Sequence, residues 1–116
     1  MNIAVLGLGA MGLPMATWLA QSFTVTAFDI AEARVQLATD AGISCRKSAR
    51  DAADGADIVL VAVRNQSQLE ELLYGEAGIV PALSRGAAII LTSTVGIQAV
   101  EAVAARLADD GIGLAD

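Results

Sequence analysis

Gly7-Leu8-Gly9-Ala10-Met11-Gly12 follows the apolar run Ile3-Ala4-Val5-Leu6 and leads directly into Leu13-Pro14-Met15-Ala16-Thr17-Trp18-Leu19-Ala20, whose spacing predicts a helix. A strand feeds a glycine turn, and the turn feeds a helix. In that order each glycine has its own task. Gly7 permits the tight turn off the strand, Gly9 lets the backbone come close to a diphosphate, and Gly12 lets the new helix pack closely on the sheet. The start of the helix offers free N–H groups and the positive end of its dipole to phosphate oxygens, so no side-chain charge is required.

A bare GxGxxG is weak evidence in a chain with 11 glycines. It gains weight from a strand before it, a helix after it and an acidic residue about 20 positions on at the end of a second strand. The acid is Asp29, placed directly after Phe23-Thr24-Val25-Thr26-Ala27-Phe28. Asp29 is therefore expected at the adenosine ribose of a dinucleotide.

Outward from this unit, apolar runs alternate with helical patterns along the whole chain, as in βαβ units with a parallel sheet. Residues 31–41 read as a helix with Val35, Leu37 and Ala38 toward the sheet and Gly42 as its stop. Ile43-Ser44-Cys45 reads as a short third strand, and Ser48 as the N-cap of a short alanine-rich helix. The continuously apolar stretch from Asp57 to Val63 predicts a central strand, with a helix from Gln68 to Tyr74 behind it. Ile79 to Leu83 reads as a short turn around Pro81, and 87–91 as the fifth strand. A helix over 97–108 and a sixth strand over 112–115 complete the pattern. The expectation is one α/β domain over residues 1–116, a doubly wound parallel sheet of the Rossmann type in order 3-2-1-4-5-6, with helices on both faces.

Composition narrows the function classes. The chain is 55% hydrophobic and 17% charged, which fits a sheet buried on both sides rather than a disordered segment. Aromatics are only 3%, so the core must pack by close approach of small side chains. A net charge of −6 with seven scattered basic residues argues against nucleic acid, whose phosphates are gripped by Lys and Arg stripes. Cys45 is the only cysteine and there is no histidine, so an internal disulfide is excluded, and a zinc site or a histidine-based triad has no ligands to draw on. No apolar run approaches the ~20 residues of a membrane span, and a cytoplasmic, soluble protein is expected.

In an open parallel sheet of this order, ligands bind outside the C-terminal ends of the strands where the winding reverses. The turns at that edge are Gly7–Gly12, Asp29-Ile30, Val63-Arg64-Asn65 and Ser93-Thr94. Asp29 bears on cofactor choice, since its carboxylate accepts ribose hydroxyls but repels a 2′-phosphate. At about 4 Å that repulsion is ~1 kcal/mol in water and ~4 kcal/mol at a near-surface dielectric. NAD is thus expected over NADP, with Arg34 on the next helix either a solvated surface residue or a phosphate contact. Arg64 reads equally as a cofactor contact or a solvent-facing loop residue. Ser93 and Thr94 read as donors to a carboxamide, a ribose or a substrate carboxylate, or as caps for the last helix. Glu70-Glu71 and Asp109-Asp110 read as solvated helix surfaces.

Ala4-Val5-Leu6-Gly7-Leu8-Gly9-Ala10-Met11-Gly12-Leu13-Pro14-Met15-Ala16 closely resembles the N-terminal signature of the β-hydroxyacid dehydrogenases, the family of 3-hydroxyisobutyrate dehydrogenase and tartronate semialdehyde reductase. Tyr74-Gly75-Glu76-Ala77-Gly78-Ile79 is similar to the family's G-x-x-G-I segment, and Ser93-Thr94 follows the fifth strand as in the family. The resemblance implies NAD contacts at Gly7, Leu8, Gly9, Ala10, Met11 and Gly12, and at Asp29, Val63, Arg64 and Thr94. Ser93 would face the substrate. It further implies hydride transfer between NAD and a small 3-hydroxy acid, and a possible homo-oligomer. The chain departs from the family in carrying Val63-Arg64 for Leu-Pro, Leu91 for an acid and Ile97 for a proline, which points toward a subgroup resembling threonate dehydrogenases. The family's catalytic lysine belongs to a helix leading to an all-helical second domain. Here the only lysine is Lys47, expected at the surface, so no catalytic residue is assigned within the chain and the helical domain is expected to be absent from it. The alternative is a stand-alone nucleotide-binding or regulatory module.

Overall fold

Val59, Leu60 and Val61 are buried one after another because a central parallel strand is covered on both faces. They belong to β4 (Ile58–Val61), which lies beside β1 (Asn2–Leu6) in the middle of the sheet. The computed structural model describes residues 1–93 and 95–115. β2 (Thr24–Phe28) and β3 (Ser44–Cys45) extend the sheet on one side, and β5 (Ala88–Leu91) and β6 (Gly113–Ala115) on the other. All pairings are parallel, and the order is β3-β2-β1-β4-β5-β6, as the alternation of the sequence predicts.

Period-two alternation divides the strands between two cores. Ala4, Leu6, Val59, Val61, Ile89 and Leu91 point to one face, where they meet α3 (Ala49–Ala53), α4 (Gln66–Tyr74) and α5 (Ile97–Asp109). Ile3, Val5, Val25, Ala27 and Leu60 point to the other, toward α1 (Gly12–Leu19) and α2 (Glu32–Asp40). Alanines Ala4, Ala16, Ala27, Ala38 and Ala53 are completely buried, so helices and sheet approach closely, as the scarcity of aromatics requires.

Two helix starts and one face show how local signals are met or overridden. Ser48 caps α3 as expected, its hydroxyl accepting the Asp51 N–H at 3.0 Å. α4 begins two residues before the expected Gln68, because the Asn65 side chain accepts the Gln68 N–H at 2.9 Å and turns Gln66 and Ser67 into the first helical residues. Leu37 does not reach the sheet: it is 49% exposed, while Ala38 is fully buried and Val35 half-buried. The inward stripe of α2 thus runs through positions three apart, and Leu37 lies ~100° away from Ala38 around the helix.

Arg50 contributes a tie that no pattern announces. Its Nε donates to the Gly78 carbonyl at 2.7 Å and its Nη2 to the Glu76 carbonyl at 3.2 Å, fastening α3 to the loop before the 3-10 turn Val80–Ala82. Arg50→Ala leaves a part-buried carbonyl without its charged donor. The expected loss is about 1–2 kcal/mol, seen as a lower urea midpoint at unchanged slope; an unchanged midpoint would show that water replaces the guanidinium without cost.

Candidate dinucleotide site

Leu6, Phe28, Val61 and Leu91 form one row across four neighbouring strands. The residues that follow them therefore leave the sheet at the same edge, which is why a glycine turn, an aspartate and the loop after β4 converge although they are far apart in the chain. This is the edge at which the strand order reverses on either side of β1.

The three glycines of the turn sit in three different environments. Gly7 has φ +106°, a backbone conformation that side-chain-bearing residues rarely adopt, and a Cβ there would stand 3.1 Å from Ala62. A Cβ on Gly12 would overlap the carbonyl oxygen of Gly7, so α1 packs directly against the turn that precedes it. A Cβ on Gly9 would meet nothing within 4 Å, so open space lies above the backbone there. The N–H groups of Gly9, Ala10 and Met11 donate to no carbonyl among the described residues. Met11 at the N-cap of α1 supplies no side-chain acceptor either. Open space, free donors and an uncapped helix start are what an incoming phosphate requires.

Asp29 stands at the end of β2, half-buried, with both carboxylate oxygens engaged. Oδ2 accepts the Leu8 N–H at 2.6 Å and Oδ1 accepts the Ala31 N–H at 2.7 Å. Each oxygen keeps a further lone pair for a hydroxyl. Gly7, Gly9, Asp29, Val63 and Arg64 all line one open cavity of about 720 Å³, within the range of small-molecule and cofactor sites. Its remaining walls include Phe28, Ile30, Ala49 and Leu72, with Ser67 and Gln68 from the start of α4. Ile30 is 93% exposed, an apolar side chain at the rim of this cavity. These wall residues carry no motif; the only sequence signal for them is that α3 and α4 both begin at the edge where the motif lies.

A family of sequences described as the NAD binding domain of 6-phosphogluconate dehydrogenase matches residues 2–116. The chain belongs to this family. Among curated relatives, the L-threonate dehydrogenase of Cupriavidus necator is 37% identical over 117 residues, covering 99% of this chain and 39% of the relative. The NAD-dependent L-serine dehydrogenase of Pseudomonas aeruginosa is 31% identical over 116 residues, again covering 99% of this chain and 39% of the relative. The solved structure of 3-hydroxyisobutyrate dehydrogenase from Mycobacterium tuberculosis with L-serine superposes with a TM-score of 0.88 at 26% identity, over 97% of this chain and 38% of that one. The chain thus spans about two fifths of the length of the relatives it matches.

Within this NAD-binding domain the remaining expected residues fall into distinct places. Leu8 is fully buried in the core beneath the turn, and its N–H goes to Asp29 rather than toward the open side. Ala10 and Met11 are exposed on the turn, outside the cavity lining. The Val63 N–H donates to Ser93 Oγ at 2.8 Å, a bond that couples the loops after β4 and β5. Ser93 therefore braces Val63, and it does not cap α5, whose N-cap is Gly96 without a side-chain acceptor. The Arg64 N–H donates to Gln68 Oε1 at 2.7 Å, and the residue lines the cavity. Thr94 lies outside the described residues. Arg34 is exposed on α2 and Lys47 is exposed after β3, and neither lines the cavity. Cys45 is half-buried, its thiol 3.7 Å from the Val35 carbonyl. Among the described residues no helix is long and apolar enough to cross a membrane, and no group of three potential metal ligands occurs.

Proposed function

We propose that this domain holds NAD across the edge formed by β1, β2 and β4, as the cofactor-binding part of an oxidoreductase acting on a small 3-hydroxy acid. The observation that carries the reading is the glycine turn itself: the N–H groups of Gly9, Ala10, Met11 and Gly12 have no backbone acceptor among the described residues, at an uncapped helix start with open space at Gly9. Gly9, Ala10 and Met11 would donate to the diphosphate, and the close contact of Gly12 with Gly7 fixes their direction. Asp29 would accept the adenosine ribose hydroxyls, with the adenine against Ile30, Val63 and Leu72. Arg64 would reach the diphosphate or the nicotinamide ribose, and Ser93 and Thr94 the nicotinamide or substrate end. NAD, when bound, supplies the hydride acceptor; the residues of this chain bind and orient it. The relatives' named substrates, threonate and serine, are small hydroxy acids, and this class is the substrate we assign. No residue of this chain is given the proton-transfer role, because Lys47 lies off the cavity and histidine is lacking. That role would fall to a helical second domain lying outside residues 1–116.

Calorimetric titration tests the cofactor assignment directly. NAD and ADP are expected to give saturable heat, and the absence of it for both overturns the proposal.

The preference for NAD over NADP rests on the charge of Asp29 at the ribose. Asp29→Asn removes the charge and keeps the shape. It is expected to narrow the ratio of NAD to NADP affinity by roughly tenfold, which corresponds to the lower range of the repulsion between two such charges. An unchanged ratio would take Asp29 out of ribose recognition.

A further inference from the structure

Two hydrogen bonds join the glycine turn to the end of the neighbouring strand. The Gly7 N–H donates to the Phe28 carbonyl at 3.0 Å, and the Leu8 N–H donates to Asp29 Oδ2 at 2.6 Å. The carboxylate is itself held from the other side, since Oδ1 accepts the Ala31 N–H at 2.7 Å. Leu8 completes the anchorage with a side chain that is fully buried. We propose that Asp29 is the positioning residue of the phosphate-binding turn, in addition to the ribose contact on which this inference builds.

The physical reason lies in how the donors are divided. Five consecutive N–H groups, from Leu8 to Gly12, have no backbone acceptor among the described residues. Asp29 takes the first, which is the one beneath the turn, and the other four have no acceptor among the described residues. Without the carboxylate, the part-buried Leu8 N–H has no acceptor, and an unsatisfied buried donor is costly enough to reorganise a turn. Rotation of the Leu8 peptide toward another acceptor would swing the N–H of Gly9, the next along the chain, away from the open side. Asp29 thus sets the direction of groups that it does not touch, and ligand binding requires less ordering. The acid at the end of β2 then serves both ends of an adenosine diphosphate: the ribose through its free lone pairs, and the diphosphate through the turn.

The two roles separate with a pair of ligands, ADP and 2′,3′-dideoxy-ADP, the second lacking both ribose hydroxyls. If Asp29 served the ribose alone, Asp29→Ala would weaken ADP and leave the dideoxy compound unaffected. The positioning role predicts that Asp29→Ala weakens dideoxy-ADP as well, by about tenfold, the scale of one charge-assisted hydrogen bond. Asp29→Asn keeps one acceptor oxygen where the carboxylate has two, so it can accept the Leu8 N–H or the Ala31 N–H but sets its NH2 against the other. Dideoxy-ADP affinity in this variant is expected to fall between those of the parent protein and Asp29→Ala. Asp29→Ser serves in place of alanine if that variant does not fold, because its hydroxyl can still accept the Ala31 N–H but is too short to reach Leu8. Hydrogen exchange of the Leu8 amide in the ligand-free protein gives a second readout, expected to accelerate in the alanine and serine variants while core amides such as Val59 stay protected. Unchanged dideoxy-ADP affinity in Asp29→Ala, or Leu8 exchange equal to that of the parent, overturns the inference. If the parent protein binds neither nucleotide, the proposed function fails, and the Leu8 amide alone then decides the positioning role.

Discussion

Replacing Gly12 with alanine is expected to cost about 3 kcal/mol of stability, the upper end for overpacking, and to remove measurable NAD binding. The added Cβ would overlap the Gly7 carbonyl oxygen and approach the Gly7 carbonyl carbon to 2.9 Å. Both are backbone atoms, so no side-chain rotation relieves the clash. Gly7 is held in place by its N–H, which is bonded to the Phe28 carbonyl. The remaining escape is for α1 to lift from the sheet, which uncovers the fully buried Ala16 and loosens Leu13 and Leu19 from the core. For a chain of this size the loss corresponds to a melting temperature lower by roughly 10 °C. Differential scanning calorimetry checks it, and a shift of less than about 2 °C would mean that α1 tolerates the displacement.

Gly9→Ala should behave in the opposite way. The Cβ meets nothing within 4 Å and the backbone is not in the left-handed region, so stability is expected to stay within about 0.5 kcal/mol of the parent, as for an ordinary surface change. The methyl group would instead occupy the space through which a diphosphate reaches the free N–H groups. Losing one or two hydrogen bonds to a charged group, each worth about 1.5–3 kcal/mol, predicts NAD affinity lower by at least roughly tenfold. Calorimetric titration beside a thermal melt separates the two quantities. Full affinity in a stable Gly9→Ala protein would place the diphosphate elsewhere and with it overturn the proposed site. The contrast with Gly12 matters because the same motif contains one glycine required by packing and one left open to a ligand.

These glycines also show what a linear pattern conveys. The separate tasks of Gly7 and Gly12, a strained turn and a close packing contact, follow from strand, turn and helix in immediate succession, and the structure has both. The strand order follows from the alternation of apolar runs with helical spacing, because right-handed crossovers leave few ways to arrange six parallel strands. Leu37 departs from its expected inward position because helix spacing defines a stripe whose rotation is decided only when Ala38 and Val35 meet the sheet. α4 starts two residues early because Asn65 reads as a loop residue until its side chain is seen to accept the Gln68 N–H. The tie made by Arg50 and the brace made by Ser93 are illegible in the sequence for a common reason: their partners lie 26 to 30 residues away. The cavity walls are hidden in the same way, since they come from several elements at once.

By itself the sequence determined the sheet, the turn and the acid that faces it, since each rests on local periodicity, backbone freedom or spacing within one βαβ unit. Only the tertiary structure decided how these parts act on one another. Register places Leu6 beside Phe28, and that alignment brings the Asp29 carboxylate to the Leu8 N–H across 21 residues of chain. A hydrogen bond of that kind depends on distances of a few tenths of an ångström between separate strands, and such distances are set by packing, which no stretch of sequence contains on its own.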